Sequence, residues 1–169
     1  VDLAVGMQPN RLSVFGYAHV PWMKSHQRMI DTAALGDANA RMDQAAAIAE
    51  RLEEHGYQQI GLDHFARADD DLSLSLKAGT LRRNFQGYTT DFAPTLIGLG
   101  ASAIGNLPAG YAQNDPAIGR YEAEISAGRL ATVRGIATTD EDRLRRQIIE
   151  SLMCSLQADL AAIGAEHKW

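Results

Sequence analysis

Cysteine is almost missing from this chain: Cys154 is the only one in 169 residues. An internal disulfide is therefore excluded, and a reducing compartment, the cytoplasm, is the expected setting. A single thiol is also too few to hold a metal cluster. Cys154 lies in the apolar run IIESLMCSL and is expected to be a buried structural thiol. No apolar run approaches the roughly 20 residues that a membrane-spanning helix needs. The opening VDLAVGMQPN has no basic stretch followed by an apolar one, so no secretory signal is expected. The chain starts at Val1 and not at Met, which suits a fragment or a processed product. Positive charge is in deficit, with 16 Lys and Arg against 21 Asp and Glu, for a net charge of -5. That balance argues against a general nucleic-acid binder. Low-complexity segments and internal repeats are absent from the sequence.

What is present suits a soluble globular domain: 46% hydrophobic and 22% charged residues. Leu12 to Ala18 (LSVFGYA) reads as a buried strand, stopped by Pro21 after His19 and Val20. Residues 23–36 read as a connection with a short helical turn. Asp37 suits an N-cap, and Met42, Ala45, Ile48, Ala49 and Leu52 recur at helical spacing until Gly56, a C′ residue. This helix, 38–55, feeds a strand over 58–62, which makes a βαβ unit with parallel strands. A short helix over 69–78 opens with Asp69, Asp70 and Asp71 and ends at Gly79. Leu96 to Leu99 is a further strand, 117–127 a helix, and 129–137 a loop or short extended segment. Thr138 with Glu141 forms a capping box for a last helix, along which Leu144, Ile148, Leu152, Leu156, Leu160 and Ile163 make one apolar stripe. The alternation of strand and helix predicts an α/β architecture with a parallel sheet.

Several motifs carry chemical interest. His19 and His64 sit at strand ends, but two histidines without a third ligand make a weak metal site, and none is expected. Gly98-Leu99-Gly100-Ala101-Ser102-Ala103 matches a dinucleotide fingerprint, which works only if a helix opens directly behind it. Turn residues Gly105, Asn106, Leu107 and Pro108 follow instead, so these glycines are expected to permit close approach to a ligand or a neighbouring strand. Arg82 and Arg83 can grip carboxylates bidentately, or form a solvated pair at a helix end. The segment 56–90 is the densest in such residues, joining Asp63-His64-Phe65-Ala66 to Arg83-Asn84-Phe85-Gln86-Gly87-Tyr88-Thr89-Thr90.

These two motifs, with Tyr17-Ala18-His19-Val20-Pro21, Gly98 to Ile104 and Tyr111-Ala112-Gln113-Asn114, resemble the oxygen-independent coproporphyrinogen III dehydrogenase family. These are anaerobic radical S-adenosylmethionine enzymes of haem biosynthesis. The resemblance runs from about Arg11 to about Asp159 and implies a fragment without the family's upstream CxxxCxxC. It implies the later half of an incomplete (β/α) barrel over 1–135 and the start of a helical C-terminal domain over 136–169. It also implies the family reaction, conversion of two propionates of coproporphyrinogen III to vinyls to give protoporphyrinogen IX. The implied cofactors are two S-adenosyl-L-methionine molecules and a [4Fe-4S] cluster whose ligands this chain lacks. The implied partners are coproporphyrinogen III and an unidentified electron acceptor. By the family match, Ala18, Phe85, Gln86 and Ile104 contact S-adenosylmethionine, while no residue is assigned a catalytic role. From the residues alone, Ala18 is equally a small core residue, and Phe85-Gln86 equally an ordered loop. Half a barrel should expose strand edges and self-associate, and the fragment alone should be inactive. The alternatives are a haem chaperone sharing the barrel, against which DHFA and NFQG speak, and a non-catalytic α/β interaction module.

Overall fold

In the computed structural model, which describes residues 1–168, the chain divides into two units, Val1–Thr80 and a second beginning at Leu81. The first contains α1 (Asp2–Gly6), β1 (Arg11–Ser13), two single 3₁₀ turns at Ser25–Met29 and Thr32–Ala34, α2 (Ala38–Glu54), β2 (Tyr57–Ile60), β3 (His64–Arg67) and α3 (Asp71–Lys77). Asp37 caps α2 as expected, accepting the Ala40 N–H at 2.8 Å. Asp70 likewise caps α3 through the Leu72 N–H at 2.8 Å. Caps of this kind are typically worth about 1 kcal/mol. The inner face of α2 places Leu52 with Tyr57 and Phe65, and Val5, Leu12, Val14, Ile48 and Ala49 pack around them. Tyr57 keeps its hydroxyl satisfied by donating to the Pro9 carbonyl at 2.6 Å.

The sheet of this unit differs from the parallel expectation. Its order is β1-β3-β2, and both pairings are antiparallel. The two strands flanking α2 therefore do run in the same direction, but β3 lies between them. The cause is local: Gly61, at φ 58°, turns the chain back within three residues of Ile60, so Asp63-His64-Phe65-Ala66 enters a strand and does not trail one. The strand expected over 12–18 is likewise shorter, ending at Ser13, although the Val14 N–H still donates to the Asp63 carbonyl at 2.7 Å.

The second unit contains β4 (Arg82–Asn84), β5 (Gly87–Thr89), β6 (Ile104–Leu107), β7 (Gly110–Asn114), α4 (Ile118–Ser126), β8 (Thr132–Ala137), α5 (Asp140–Ser155) and α6 (Leu160–Glu166). β4 and β5 pair as a two-stranded hairpin, and β6-β7-β8 form an antiparallel sheet. Among the described residues every ladder is antiparallel, so mixed helix and strand is present while the parallel sheet is not. The expected 96–99 strand reduces to one bridge, Leu96 opposite Asn106. The expected boundary between residues 135 and 136 falls inside β8. The last helix starts one residue later than its sequence signal: Thr139 and Asp142 form the capping box, not Thr138 and Glu141. Its stripe is also broken, since Leu156 turns left-handed at φ 59° and α6 begins anew under an Asp159 cap. α5 lies against the β4-β5 hairpin, where the Tyr88 hydroxyl donates to the Met153 carbonyl at 3.0 Å. Cys154 is buried there, as composition suggested. No helix among the described residues is long and apolar enough to cross a membrane.

Candidate functional site

In the first unit, Ala18 lies five residues beyond the end of β1 and is exposed. Its position is fixed by a residue that sequence reasoning missed. The buried Gln27 donates from Nε2 to the Ala18 carbonyl at 3.0 Å and accepts the Val20 N–H on Oε1 at 2.6 Å. One amide thus closes the loop 18–20 from both sides, using both of its hydrogen-bonding functions. Arg41, from α2, also donates to the Tyr17 carbonyl. A glutamine in a connection carries no sequence signal of this role, because its partners are backbone groups. His19 meets the Tyr17 hydroxyl at 3.2 Å, and His64 meets Asp63 Oδ1 at 2.7 Å. Among the described residues no three His, Cys, Asp or Glu side chains converge to hold a metal ion.

In the second unit, Phe85 and Gln86 are the two residues at the tip of the β4-β5 hairpin, where Asn84 Oδ1 accepts the Gln86 N–H at 2.7 Å. Asn84 therefore shapes the turn, and the two side chains beyond it stand exposed. The Phe85 ring meets Tyr111 of β7 edge to face, with centroids 5.2 Å apart, yet remains 54% exposed. Arg82 and Arg83 are on a strand and not at a helix end. Arg82 pairs with Glu150 of α5 at 3.3 Å, and the Arg83 backbone N–H donates to the same carboxylate at 3.2 Å.

Ile104 opens β6 and is half-buried. The Gly98–Ala103 fingerprint is followed by this strand and by no helix, so it does not cradle a pyrophosphate. Its first glycine serves close packing instead: a Cβ on Gly98 would lie 3.0 Å from the Ala103 Cβ and from the Ile104 carbonyl carbon. Asn114 Nδ2 then ties the loop down, donating to the Gly98 and Gly100 carbonyls at 3.0 Å each. The expectation that Ala18 and His64 mark the ends of strands does not hold: His64 begins β3, and Ala18 lies in a loop. Phe85, Gln86 and Ile104 belong to the second unit and Ala18 to the first.

A groove of about 480 Å³ opens in the second unit between α5 and the strands. Phe85, Tyr111, Ile149 and Met153 give it apolar walls, and Arg83 and Arg146 add guanidinium groups. Cys154 does not serve a cluster. Burial, followed by the Glu150 charge, pushes its thiol up to about 11, the reverse of what a metal-binding thiolate requires. The residues present therefore do not fit an iron–sulfur cluster.

No family model matches the chain. It is 60% identical over 161 residues to the oxygen-independent coproporphyrinogen III oxidase of Bradyrhizobium diazoefficiens, covering 95% of this chain and 36% of that protein. It is 49% identical over 167 residues to the enzyme of the same name from Paracoccus denitrificans, covering 99% of this chain and 37% of that one. Among solved structures, the coproporphyrinogen III oxidase of Escherichia coli, described as a radical SAM enzyme, superposes with a TM-score of 0.89 at 39% identity. That match covers 99% of this chain and 39% of the solved one. The chain thus spans a little over a third of the relatives it matches. Over nearly its whole length it is related to a segment of the oxygen-independent coproporphyrinogen III oxidases, as its motifs indicated.

Proposed function

We propose that this chain is a working segment of an anaerobic coproporphyrinogen III oxidase of the cytoplasm, which turns two propionates of coproporphyrinogen III into vinyls. The observation that carries the reading is the 60% identity across 161 residues, 95% of this chain. In the reaction each propionate side chain loses a hydrogen atom from the carbon next to the ring, one electron and carbon dioxide, and a vinyl group remains. S-adenosylmethionine supplies, when bound and cleaved, the radical that takes the hydrogen atom. The electron goes to an acceptor of unidentified nature. An iron–sulfur cluster would need thiolates from a longer protein, since this chain has one cysteine. Residues 1–135 would form part of the catalytic barrel wall, and 136–169 the start of a helical C-terminal domain.

The role of this segment is to bind and orient. Phe85 offers an exposed aromatic face, apt for an adenine ring or a sulfonium group. Gln86 stands beside it with an amide that both donates and accepts. Ile104 presents an apolar strand residue, and Ala18, held by Gln27, leaves space where a larger side chain would fill it. Within the second unit, Phe85, Gln86 and Ile104 fit S-adenosylmethionine in kind.

The test is anaerobic turnover by the full-length protein containing this segment, with S-adenosylmethionine and a reductant. Protoporphyrinogen IX should form. Gln86→Ala should slow turnover by an amount equivalent to about 1–3 kcal/mol, the typical cost of leaving a polar ligand group unpaired. Cluster content should be unchanged. An intact, cluster-loaded protein that leaves coproporphyrinogen III untouched would overturn the proposal.

A further inference from the structure

Arginines in this chain mostly have carboxylate partners close by. Arg145, on α5, pairs with Glu141 one turn away. Arg143 pairs with Asp140. Two arginines in the walls of the second unit's groove are different. Arg146 donates from Nη1 to the neutral Asn106 Oδ1 at 3.1 Å, and among the described residues no carboxylate pairs with it. The Arg83 guanidinium lies over the Tyr88 ring, 5.5 Å from its centroid, and its Nε is buried without a hydrogen-bond partner. A buried guanidinium N–H left unpaired is costly, and native structures rarely keep one without reason.

The acids lining the same groove are already engaged. Asp142 closes the α5 cap, accepting from the Thr139 N–H at 2.9 Å and from its hydroxyl at 2.8 Å. Glu150 takes Arg82 and the Arg83 backbone N–H. Both negative charges are therefore committed, and Arg145, which also lines the groove, is paired with Glu141, so the Arg83 and Arg146 guanidinium groups are left facing a largely apolar cavity with an aromatic pair at its side. Charge complementarity asks for an anion with an apolar, flat body. Guanidinium groups meet carboxylates with strong, directional hydrogen bonds.

We infer that Arg83 and Arg146 form a carboxylate clamp, with Phe85 and Tyr111 flanking the apolar body of the ligand that carries it. This rests on the proposed function, which supplies two carboxylate sources: a propionate of the tetrapyrrole and the amino-acid end of S-adenosylmethionine. The clamp assigns to α5 a binding role that sequence reading left as a packing stripe. Arg146 is also tied to β6 through Asn106, so the sheet sets its position.

The experiment measures binding to the 169-residue chain. Three probes are titrated: coproporphyrin III, the stable oxidised tetracarboxylate, by fluorescence; its tetramethyl ester, likewise; and S-adenosylmethionine by equilibrium dialysis. Arg83→Gln and Arg146→Gln should each raise Kd about tenfold for the ligand whose carboxylate is held, the scale of one charge-assisted bond. Arg146→Lys should restore part of the loss, and Arg143→Gln, whose partner Asp140 lies outside the groove, should change nothing. Circular dichroism checks that each variant folds. If coproporphyrin III is weakened and its ester binds poorly even to the wild type, the source is a propionate. If S-adenosylmethionine alone is weakened, the source is its carboxylate. Unchanged Kd values for both ligands in folded variants, or no binding of either to the wild type, would overturn the clamp. Turnover by the full-length protein decides the proposed function separately, since conversion with intact rates in both arginine variants would discard the clamp and leave that function standing.

Discussion

At the scale of single residues, the firmest electrostatic feature is Asp115. It is buried, and its carboxylate accepts from Arg120 Nε at 2.6 Å, from Arg120 Nη2 at 2.9 Å and from the Ala117 N–H at 2.8 Å. The Arg120 hydrogen bonds first, then the Ala117 N–H, hold the carboxyl below its ordinary value of 3.8. The sign follows by linkage: a carboxyl whose folded pKa is depressed adds stability that is full above the ordinary value and is lost as pH falls through the folded one. Wild-type Tm should therefore fall as pH is lowered below 3.8. In Asp115→Asn, Tm should be lower at pH 7 and less sensitive to pH across the same range. Thermal melts of both proteins between pH 7 and pH 3 check this, and parallel curves would show that the Asp115–Arg120 pair adds no stability. The sequence marked Asp115 no differently from its exposed neighbours, because its importance comes from burial against β8. Cys154 is the opposite case. The thiol within IIESLMCSL was expected to be buried and structural; it is buried, and that burial pushes its pKa up.

At the scale of elements, the helices were legible and the sheets were not. The ends of α2 and α3 follow from capping aspartates and trailing glycines, signals confined to a few adjacent residues. The strands that sequence reading missed are short and polar. Arg82–Asn84 has no apolar alternation to announce β4, and all six residues of β8 are exposed. Such strands are set by their partners, which local patterns do not contain. The close approach of β7 to β8 is one such partnership. A Cβ on Gly110, which sits at φ 154°, would overlap the Ile136 carbonyl oxygen and reach 2.9 Å from the Ala137 Cα. The obstacle is backbone on both counts, so no side chain can swing aside. Gly110→Ala should destabilise the second unit by about 1–3 kcal/mol, the usual range for overpacking. Urea unfolding followed by fluorescence would measure it, and a wild-type midpoint would mean the two strands can separate freely. The candidate site was legible to the same degree as the elements beneath it. Phe85 and Gln86 stood out by their neighbours in sequence, whereas Gln27, Tyr111 and Arg146 act across distances of 7 to 40 residues.

At the scale of the whole molecule, the same exposed sheet edge governs how separate copies behave. β8 ends the β6-β7-β8 sheet, so the backbone groups on its outer side have no strand partner within that sheet. Its Val133 and Ile136 side chains are more than half exposed, and Leu156 and Leu160 at the α5–α6 break are exposed to a similar extent. Open edges recruit strands from other chains, and exposed apolar side chains add a non-directional attraction that the net charge of -5 opposes only weakly at physiological salt. The chain should therefore self-associate in solution. Light scattering should report a mass above that of one chain, rising with protein concentration, together with enhanced fluorescence of an apolar-surface dye. The edge contribution can be separated from the rest by Val133→Lys, which places a charge on β8 without touching the β7 ladder's backbone. That variant should scatter as a smaller species while keeping its helical circular dichroism. If the wild type already scatters as a single chain at high concentration and binds no dye, the β8 edge is closed by means other than pairing, and the expectation fails.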